Sequence, residues 1–397
     1  MVNIFSSYLI VFIFNNSKNI SYKNLMILVI ISHTPHFKKN NQYFGWGPTI
    51  REINQLAILF SNIFHIAPLY NDIIPNIAER YNSKKIKYIP IKPAGGNGIR
   101  NKLNILYQIP KNLLIIHKYC KIANSIQFRA PTNLGLYVLP YLSILNKDKT
   151  WIKYAGNWSQ KKPPTSYYFQ KLWLNSQLNK FKVTINGSWP NQGKKILSFE
   201  NPCFTEEELK EANKYGIKKR FNESLILCFV GAIEEWKGVS LILEALKEIE
   251  FYDSINCIYF VGDGSQLVIS KKFSKQIKNI KIYFTGALIR EDLNSIYQKS
   301  HIILLPSRSE GFPKVIAEAT AFGCVPIISN VGSLSQYIND QNGLILKETN
   351  VRNIINSIRF LVNDRIKLKK ISLEALSVAK KFTFKEYNKK IERMIIN

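Results

Sequence analysis

The sequence predicts an α/β protein with two doubly wound domains. Its 397 residues exceed the usual size of one domain and fit two. Short branched apolar runs alternate with segments of helical spacing, which is the pattern of parallel sheets covered by helices. The clearest unit is residues 301–329, which are predicted to form a strand, a turn, a helix and a second strand.

The first domain is predicted to cover residues 23–200, after an extension or tail of residues 1–22. The apolar run of residues 4–14 in that tail is too short to span a bilayer. The first strand is expected at residues 25–31, because the run is short and rich in branched residues. A helix is expected to follow at about residues 50–63.

Further alternating elements are expected up to the end of the first domain. In order they are a basic stretch around residue 88, a helix near residues 101–107, an apolar segment at 113–117, a strand at 125–128, a strand with an aromatic loop at 151–158, and a helix at 167–178. Residues 199–204 are the expected linker between the two domains.

The second domain is predicted to cover residues 201–380. A helix of acidic and basic residues is expected at 206–215, and the first strand of this domain at 224–231. Apolar residues at helical spacing then recur near the end of the chain. A last helix is therefore expected within residues 381–397.

The formal net charge of +28 is unevenly distributed. Residues 1–200 contain 26 Lys and Arg against 5 Asp and Glu, which gives +21, whereas residues 201–397 contain 29 against 22, which gives +7. The first half of the chain is so basic that it is expected to attract an anionic partner, such as a membrane leaflet, a lipid phosphate or nucleic acid. The alternative explanation is compositional, because the chain is also rich in Ile and Asn.

The five cysteines are scattered and show neither close pairs nor zinc-ligand spacing. They are Cys120, Cys203, Cys228, Cys257 and Cys324. Three of them lie in or beside apolar runs. This usage is typical of reduced core residues in a cytosolic protein.

The turn and helix within residues 301–329 place two carboxylates beside a predicted anion site. Pro313 suits the first position of a helix, and free N–H groups and the dipole of such a helix attract anions at the carboxyl end of a parallel strand. Glu310 precedes this helix and Glu318 lies within it. A nucleotide sugar would explain both, because its diphosphate suits the helix and its hydroxyls suit the carboxylates. The alternative is a solvated Glu310 and an exposed i,i+4 pair of Glu318 with Lys314.

The segment of residues 309–319 resembles the E-x7-E motif of retaining glycosyltransferases of family 4, the glycosyl transferases group 1. Further segments resemble that family in the same order, at residues 229–238, 260–264, 284–286, 306–307 and 342–344. The resemblance covers residues 224–375 well and the first half in outline. It implies the GT-B fold, in which two Rossmann-like domains face each other across a cleft. It also implies that the last helix packs back on the first domain.

The resemblance implies a donor site in the second domain, with Lys237 and Glu310 as the catalytic residues. The implied donor-binding set is Gly231, Lys237, Gly262, Gly264, Glu310, Gly311, Phe312, Pro313, Lys314 and Glu318. In this assignment Lys237 meets the diphosphate, Glu310 holds the donor sugar and Glu318 accepts hydrogen bonds from the ribose. Relatives usually carry arginine where this chain has Ala232, so more of the phosphate charge falls to Lys237. The alternative is that Lys237 is a surface lysine near a turn.

The implied acceptor side is in the first domain. Relatives place a glycine-rich loop after the first strand, which corresponds to Gly45 and Gly47, although such a pair also serves a plain turn. Many relatives carry a histidine or an acid where this chain has Arg129. Asn157 and Trp158 lie in the aromatic loop that could contact an acceptor sugar, with core packing as the alternative.

The activity implied is sugar transfer from a nucleotide-diphosphate sugar, of UDP or GDP type, with retention of configuration. No cofactor and no metal ion are expected, because the sequence lacks an Asp-x-Asp metal motif. The implied acceptor is a lipid-linked or envelope polysaccharide precursor, as in lipopolysaccharide or capsule synthesis. The expected location is cytoplasmic, in peripheral contact with anionic lipid at the inner face of the membrane.

Two other classes of protein compete with this interpretation. A sugar-nucleotide epimerase of the same fold would use a similar donor pocket, but it needs acids and histidines in the first domain. Only 5 Asp and Glu occur in residues 1–200. A basic nucleic-acid-binding protein would need a groove-reading or base-stacking module, and the sequence shows none.

Overall fold

The structure is a computed structural model that describes residues 26–93, 99–160, 162–190 and 192–397. The predicted extension of residues 1–22 lies outside the described residues. Contacts divide the chain into two compact units. Unit 1 contains the described residues of Met1–Tyr154, Pro164–Thr184 and Asn388–Asn397, and unit 2 contains those of Ala155–Pro163 and Ile185–Tyr387. The predicted domain boundary at residue 200 stays a prediction.

Unit 1 is built on a sheet whose central strands are parallel. Its strands are β1 (Ile27–Ile31), β2 (His36–Lys39), β3 (Gln42–Trp46), β4 (Asn62–Tyr70), β5 (Ala78–Glu79), β6 (Ile86–Ile91), β7 (Ser125–Ala130), β8 (Thr150–Tyr154) and β9 (Lys182–Asn186). The central order is β9-β8-β7-β1-β4-β6. Strand β1 consists of branched apolar residues that are almost wholly buried, which is why it occupies the middle of the sheet.

In the described part of unit 1, a hairpin and four helices precede the residues at the end of the chain. Strands β2 and β3 pair antiparallel, and β2 continues the sheet beside the end of β4. The helices are α1 (Gly47–Leu56), α2 (Ile99–Ile122), α3 (Gly135–Leu145) and α4 (Thr165–Asn175). None of the helices in the described part of the chain is both long and apolar enough to cross a bilayer.

Two sequence predictions in unit 1 are wrong. The helix expected at residues 50–63 ends at Leu56, and Asn62–Tyr70 is the long strand β4. That segment is apolar and pairs with strands on both sides. Burial in the sheet therefore favours a strand, although a helix precedes the segment in the chain. Residues 113–117, expected as a separate element, belong to helix α2, which continues through Pro110.

Unit 2 contains a six-stranded sheet in which every pairing is parallel. Its strands are β11 (Leu225–Val230), β12 (Ile255–Val261), β13 (Lys281–Gly286), β14 (Ile302–Leu305), β15 (Val325–Ser329) and β16 (Leu344–Leu346), and the chain reaches it through the short strand β10 (Ile196–Phe199). Its helices are α5 (Glu206–Ile217), α6 (Val239–Glu248), α7 (Leu267–Ser274), α8 (Arg290–Lys299), α9 (Lys314–Ala321), α10 (Val351–Asn363), α11 (Arg365–Ala375) and α12 (Phe384–Ile391). The predicted α/β class is confirmed.

The strand order of unit 2 locates its ligand-binding edge. The order is β13-β12-β11-β14-β15-β16, so the chain moves outward in one direction from β11 to β13 and in the other from β14 to β16. In open parallel sheets, the crevice for ligands lies at the carboxyl ends of the two strands where this reversal occurs. The loops that follow β11 and β14 therefore form the expected site.

The end of the chain returns to unit 1. Helix α12 is followed by a π-helical turn, Glu392–Ile396. Asn388 donates a hydrogen bond to the backbone oxygen of Gln55 at 3.0 Å, and Lys182 donates one to the backbone oxygen of Met394 at 2.6 Å. Side-chain to backbone hydrogen bonds thus attach the last residues to helix α1 and strand β9.

Candidate active site

The loop after β11 is shaped by two glycines in the left-handed region. Gly231 has φ +153° and donates its N–H to the backbone oxygen of Val261 at 2.9 Å. Gly238 has φ +78°, and a Cβ there would clash with the backbone oxygen of Pro306. These are conformations that glycine adopts without strain. The loop after β11 is thereby pressed against the loop after β14.

The loop after β12 is closely packed for a similar reason. A Cβ on Gly262, which has φ +137°, would clash with the backbone oxygen of Gly231. A Cβ on Gly264 would clash with the backbone oxygen of Ile233. Both glycines are therefore required by contact with the first loop. Their implied membership of the donor-binding set stays a prediction.

Lys237 and Glu310 meet at the point where the strand order reverses. Lys237 ends the short 3-10 helix Glu235–Lys237 that follows β11, and Glu310 lies in the loop after β14. The ammonium nitrogen of Lys237 lies 2.5 Å from Oε1 of Glu310, and the two side chains are only 12% and 8% exposed. The ammonium group also lies 4.4 Å from the centre of the Trp236 ring. Because Lys237 is buried and paired, the alternative of a solvated surface lysine is wrong.

The backbone around Glu310 is fixed by a third loop, which follows β15. Ser333 donates two hydrogen bonds to the backbone oxygen of Gly311, one from its N–H and one from its hydroxyl, both at 3.0 Å. Gly332 lies so close that a Cβ would clash with the backbone oxygen of Glu310. Three successive loops of the sheet therefore hold the carboxylate in place.

Helix α9 begins directly after this loop. Pro313 is the residue before its first turn, one position earlier than predicted, and Lys314 is its first residue. No side chain caps the helix, so the early N–H groups of the first turn are not satisfied by a capping residue. The helix ends just before Gly323, which has φ +72° and can end a helix in the left-handed region.

Phe312 occupies the core instead of the surface of this loop. Its ring stacks on Phe382 at 4.2 Å and meets the edge of Tyr337 at 5.0 Å. Only 5% of Phe312 is exposed. A ligand at this loop would therefore meet backbone groups near Phe312, while the side chain anchors the loop.

Glu318 is held by an arginine that the sequence did not indicate. Its Oε1 accepts a hydrogen bond from Arg290 at 3.2 Å, and its Oε2 accepts one from the Tyr297 hydroxyl at 3.3 Å. Arg290 also donates to the backbone oxygen of Cys203 at 3.0 Å and pairs with Glu208 at 3.4 Å. The alternative of an exposed pair of Glu318 with Lys314 is therefore wrong.

The charge of Arg290 is stabilised by this arrangement. Burial by itself lowers the pKa of Arg290, but attraction to Glu318 and Glu208 outweighs it, so the pKa is raised above its usual value. The only sequence signal for this contact was the position of Arg290 at the start of a helix after residues 284–286. Spacing along the chain could not connect it with a glutamate 28 residues later.

One known protein family matches the part of the chain that contains these loops of unit 2. Residues 211–377 match the model of the family Glycosyl transferases group 1. This stretch contains the loops after β11, β12 and β14 and helix α9. Within it lie all ten residues of the implied donor-binding set.

Three curated relatives each align with less than half of the chain. The protein named uncharacterized glycosyltransferase MJ1178 of Methanocaldococcus jannaschii is 28% identical over 159 residues, which is 40% of this chain and 44% of that protein. An Escherichia coli protein named UDP-Gal:alpha-D-GlcNAc-diphosphoundecaprenol alpha-1,3-galactosyltransferase is 27% identical over 42% of each chain. The putative teichuronic acid biosynthesis glycosyltransferase TuaC of Bacillus subtilis is 27% identical over 39% of this chain and 38% of its own. The chain thus spans less than half the length of these relatives.

Solved structures match nearly the whole chain in fold. Sucrose-phosphate synthase from Thermosynechococcus elongatus has a TM-score of 0.69 at 17% identity, covering 93% of this chain and 98% of its own. Anabaena HepE, solved with UDP and glucose, has a TM-score of 0.64 at 15% identity, covering 94% and 100%. WaaG, a glycosyltransferase involved in lipopolysaccharide biosynthesis, has a TM-score of 0.67 at 14% identity, covering 92% and 99%. The predicted fold class, with two Rossmann-like α/β units as in GT-B enzymes, is confirmed.

Two residues of the aromatic loop belong to unit 2. Asn157 donates a hydrogen bond to the Ser309 hydroxyl at 3.4 Å, beside Glu310. Trp158 is buried, with 7% of its surface exposed, so its ring serves packing. Asn157 therefore joins the loop after β14, and its implied role toward an acceptor stays a prediction.

Arg129 is the centre of a buried charge cluster in unit 1. Its guanidinium donates to both carboxylate oxygens of Glu52, at 2.9 Å and 3.5 Å. Lys153 lies 2.6 Å from the same carboxylate, and Glu52 is fully buried. Arg129 and Lys153 lie near the carboxyl ends of the adjacent strands β7 and β8, where ligands bind in parallel sheets. The contacts of Glu52 with Arg129 and Lys153 were not predicted.

Gly45 and Gly47 serve close packing within unit 1. A Cβ on Gly45 would lie 2.6 Å from Ile50 and 2.7 Å from His36. A Cβ on Gly47 would clash with the backbone oxygen of Ile77. Gly45 lies in strand β3 and Gly47 begins helix α1, so close packing accounts for both glycines and a plain turn does not. Their implied place on the acceptor side stays a prediction. Among the described residues, no group of three His, Cys, Asp or Glu side chains could hold a metal ion.

Proposed function

We propose that the protein transfers a sugar from a nucleotide-diphosphate sugar of UDP or GDP type to a saccharide acceptor. The observation that carries this proposal is the pair of Lys237 and Glu310 at the reversal of strand order in unit 2. One group suits a phosphate and the other suits sugar hydroxyls, and both come from loops inside the matched region. The UDP and glucose named for HepE support this class of donor.

In the proposed mechanism, the diphosphate lies near Lys237 and the backbone N–H groups at the start of helix α9. Charge grows on the diphosphate as the glycosidic bond breaks, and a fixed cation stabilises that charge most strongly in the transition state. Glu310 and the backbone after Gly311 hold the donor sugar. Transfer then proceeds with retention of configuration and without a metal ion, with Lys237 supplying positive charge.

The ribose contact is proposed for Glu318. Arg290 and Tyr297 hold the two carboxylate oxygens of Glu318 from the protein side, which fixes the orientation of the group. Each carboxylate oxygen can accept more than one hydrogen bond, so both oxygens retain capacity for hydroxyl donors. We infer that Arg290 acts as a positioning residue for Glu318.

The proposed acceptor is a lipid-linked or envelope polysaccharide precursor. Support comes from the names of the Escherichia coli, Bacillus subtilis and WaaG proteins described above. A further relative, from Klebsiella pneumoniae, is named for its place in a cps region.

We also propose peripheral contact with anionic lipid at the cytoplasmic face of a membrane. Residues 1–200 have a charge of +21, and helix α4 exposes three large apolar side chains, Tyr168, Phe169 and Leu172. Basic charge attracts an anionic leaflet, and exposed aromatic side chains suit its interface. Binding to anionic vesicles should weaken steeply with salt, and equal binding to neutral vesicles would refute this part of the proposal.

A thermal-shift screen of UDP, GDP, ADP and CMP sugars tests the donor assignment. A ligand at 100 times its dissociation constant stabilises the folded state by about 2.7 kcal/mol. We expect UDP or GDP sugars to stabilise the wild type, Lys237→Ala to lose most of that shift, and the exposed control Lys271→Ala to keep it. If no nucleotide sugar stabilises the wild type, the proposed donor site is wrong.

A further inference from the structure

A cavity of about 750 Å³ lies in unit 1, between the β2–β3 hairpin, helix α1 and strand β6. Its volume is within the range of small-molecule sites in proteins. All of its lining residues belong to unit 1, whereas the proposed donor residues belong to unit 2. None of the candidate site residues discussed above lines this cavity.

Tyr81 and Tyr88 line the cavity with their rings, because their hydroxyls are bonded elsewhere in the protein. The hydroxyl of Tyr88 donates to the backbone oxygen of Ala67 at 3.0 Å. The hydroxyl of Tyr81 lies 2.7 Å from Nε2 of His36 and 2.6 Å from Nδ1 of His65. Both hydroxyls are therefore already engaged within the protein. What these tyrosines present to the cavity is the apolar part of their rings.

The ring of Tyr43 adds to this surface, since it packs against Tyr88 with ring centres 4.8 Å apart. Phe44 lies next to it in the chain and is covered by the Arg80 guanidinium, 5.8 Å from the ring centre. Four aromatic residues thus contribute to the walls. Flat apolar surfaces of this kind suit the C–H faces of sugar rings.

The polar side chains that line the cavity include more amides than charged groups. Asn54 fixes the loop of residues 80–82, because it donates to the backbone oxygen of Arg80 at 3.5 Å and accepts from the N–H of Asn82 at 3.1 Å. The Gln42 side chain accepts from Arg80 at 2.6 Å. The side-chain amide of Asn82 has no hydrogen-bond partner among the residues that the structure describes. Amides both donate and accept, as hydroxyl-rich ligands require.

The charges at the cavity balance each other. Arg80 supplies one cation, and Glu79 supplies one carboxylate close to the start of helix α1. A strongly anionic ligand gains little from such a site, and a wholly apolar ligand would leave the amides without partners. A polyhydroxylated ligand with apolar ring faces satisfies both the amides and the aromatic walls.

We propose that this cavity of residues 42–88 is a saccharide-binding site, which holds sugar units of the acceptor away from the reacting hydroxyl. The inference rests on the proposed function, because that function supplies a saccharide acceptor. It deepens that function by naming a class of ligand for unit 1. The ligand class is an oligosaccharide that is neutral or carries few charges.

Saturation-transfer NMR on the full chain tests this site with four probes: maltotriose, cellotriose, chitotriose and trigalacturonic acid. We expect at least one of the three neutral trisaccharides to bind at millimolar concentration, and trigalacturonic acid to bind more weakly. Tyr43→Ala should weaken that binding roughly 10-fold, the value of one aromatic contact. Gln42→Ala changes an exposed side chain, so it tests the site even if Tyr43→Ala fails to fold. Tyr107→Ala, which removes an exposed aromatic side chain on helix α2 outside the cavity, is the matched control and should bind normally.

Two outcomes would overturn the inference. One is that none of the three neutral trisaccharides binds. The other is that binding is the same in Tyr43→Ala, Gln42→Ala and wild type. The nucleotide-sugar thermal shift is measured on the same samples. A normal shift without saccharide binding removes only this site, whereas saccharide binding without any shift contradicts only the proposed donor.

Discussion

The ammonium nitrogen of Lys237 lies 2.5 Å from Oε1 of Glu310, so the two implied catalytic residues are partners in one buried ion pair. Neither charge is well solvated, since the side chains are 12% and 8% exposed. Each group therefore holds the other in position until a ligand arrives. A donor diphosphate can then share Lys237 with Glu310, and hydroxyls of the donor sugar can donate hydrogen bonds to the same carboxylate.

This pairing predicts a strong coupling between the two side chains. Lys237→Met alone leaves a carboxylate without its counter-ion in a site shielded from water, which we expect to cost up to about 3 kcal/mol of unfolding free energy. The double variant with Glu310→Gln should recover much of that loss, because no isolated charge remains. Urea denaturation of the wild type, both single variants and the double variant measures the coupling. Additive losses would show that the pair does not form in solution.

Glu318→Ala and Lys237→Ala should also differ in their kinetic effects. Glu318→Ala removes a hydrogen bond to the ribose that is made before and during transfer, so we expect donor KM to rise roughly 10- to 150-fold. Lys237→Ala should lower kcat as well, because its charge interacts most strongly with the departing diphosphate. Steady-state kinetics with varied donor separates these effects. An unchanged donor KM in Glu318→Ala, or a wild-type kcat in Lys237→Ala, would remove that residue from the site.

The glycines of unit 2 predict a graded effect on stability. Gly262→Ala combines a left-handed backbone with a clash against the Gly231 carbonyl, so we expect it to destabilise by several times RT, on the order of 3 kcal/mol. Gly286 also has positive φ, at +74°, but a Cβ there meets nothing within 4 Å. Gly286→Ala should therefore cost only about 1 kcal/mol. Thermal unfolding of both variants tests the difference, and equal losses would contradict the close packing of the first two loops.

Acid should destabilise unit 1 through its buried histidines. Burial lowers the pKa of His36 to about 4, from 6.5 for an exposed histidine, even though a hydrogen bond to the backbone of Thr34 opposes the shift. Burial and the neighbouring charge of His36 hold the pKa of His65 well below its usual value. Between pH 6.5 and 4 the unfolded chain binds protons that the folded chain does not, so stability falls as the pH falls.

The histidine effect can be measured by thermal unfolding between pH 7 and 4. For His36 the shift corresponds to on the order of 3 kcal/mol across this range. His36→Gln should therefore show a shallower loss of stability with acid than the wild type. His117→Gln, which changes a half-buried histidine of helix α2, is the control and should keep the wild-type slope. Identical slopes in His36→Gln and wild type would show that His36 does not control the acid response.

Features that depend on neighbouring residues were predictable from the sequence. The unit of residues 301–329 folds as expected because its strands are branched and apolar, and because Gly323 can end a helix in the left-handed region. Contacts between distant segments could not be predicted. Arg290 reaches Glu318, and Arg129 reaches Glu52, across 28 and 77 positions of the chain. Only the parallel order of the strands brings these charges together.

The predictions of secondary structure were wrong where the local residue pattern and the pairing of distant strands favour different structures. Residues 113–117 are apolar enough for a strand, yet they continue helix α2 because that helix covers the sheet. Asn62–Tyr70 follows helix α1 closely, yet it forms the long strand β4 because it pairs with β1 and β6. Whether such a segment forms a helix or a strand is decided by its packing and pairing with residues that are distant in sequence.

The most direct test of the proposed function is the anomeric configuration of the product. The wild-type enzyme is incubated with the nucleotide sugar selected by the thermal-shift screen and with a saccharide or lipid-linked acceptor, and the product is analysed by proton NMR. The proposal predicts a new glycosidic bond with the same anomeric configuration as the donor, and no such product from Lys237→Ala. An inverted linkage, or release of epimerised donor without acceptor, would contradict it.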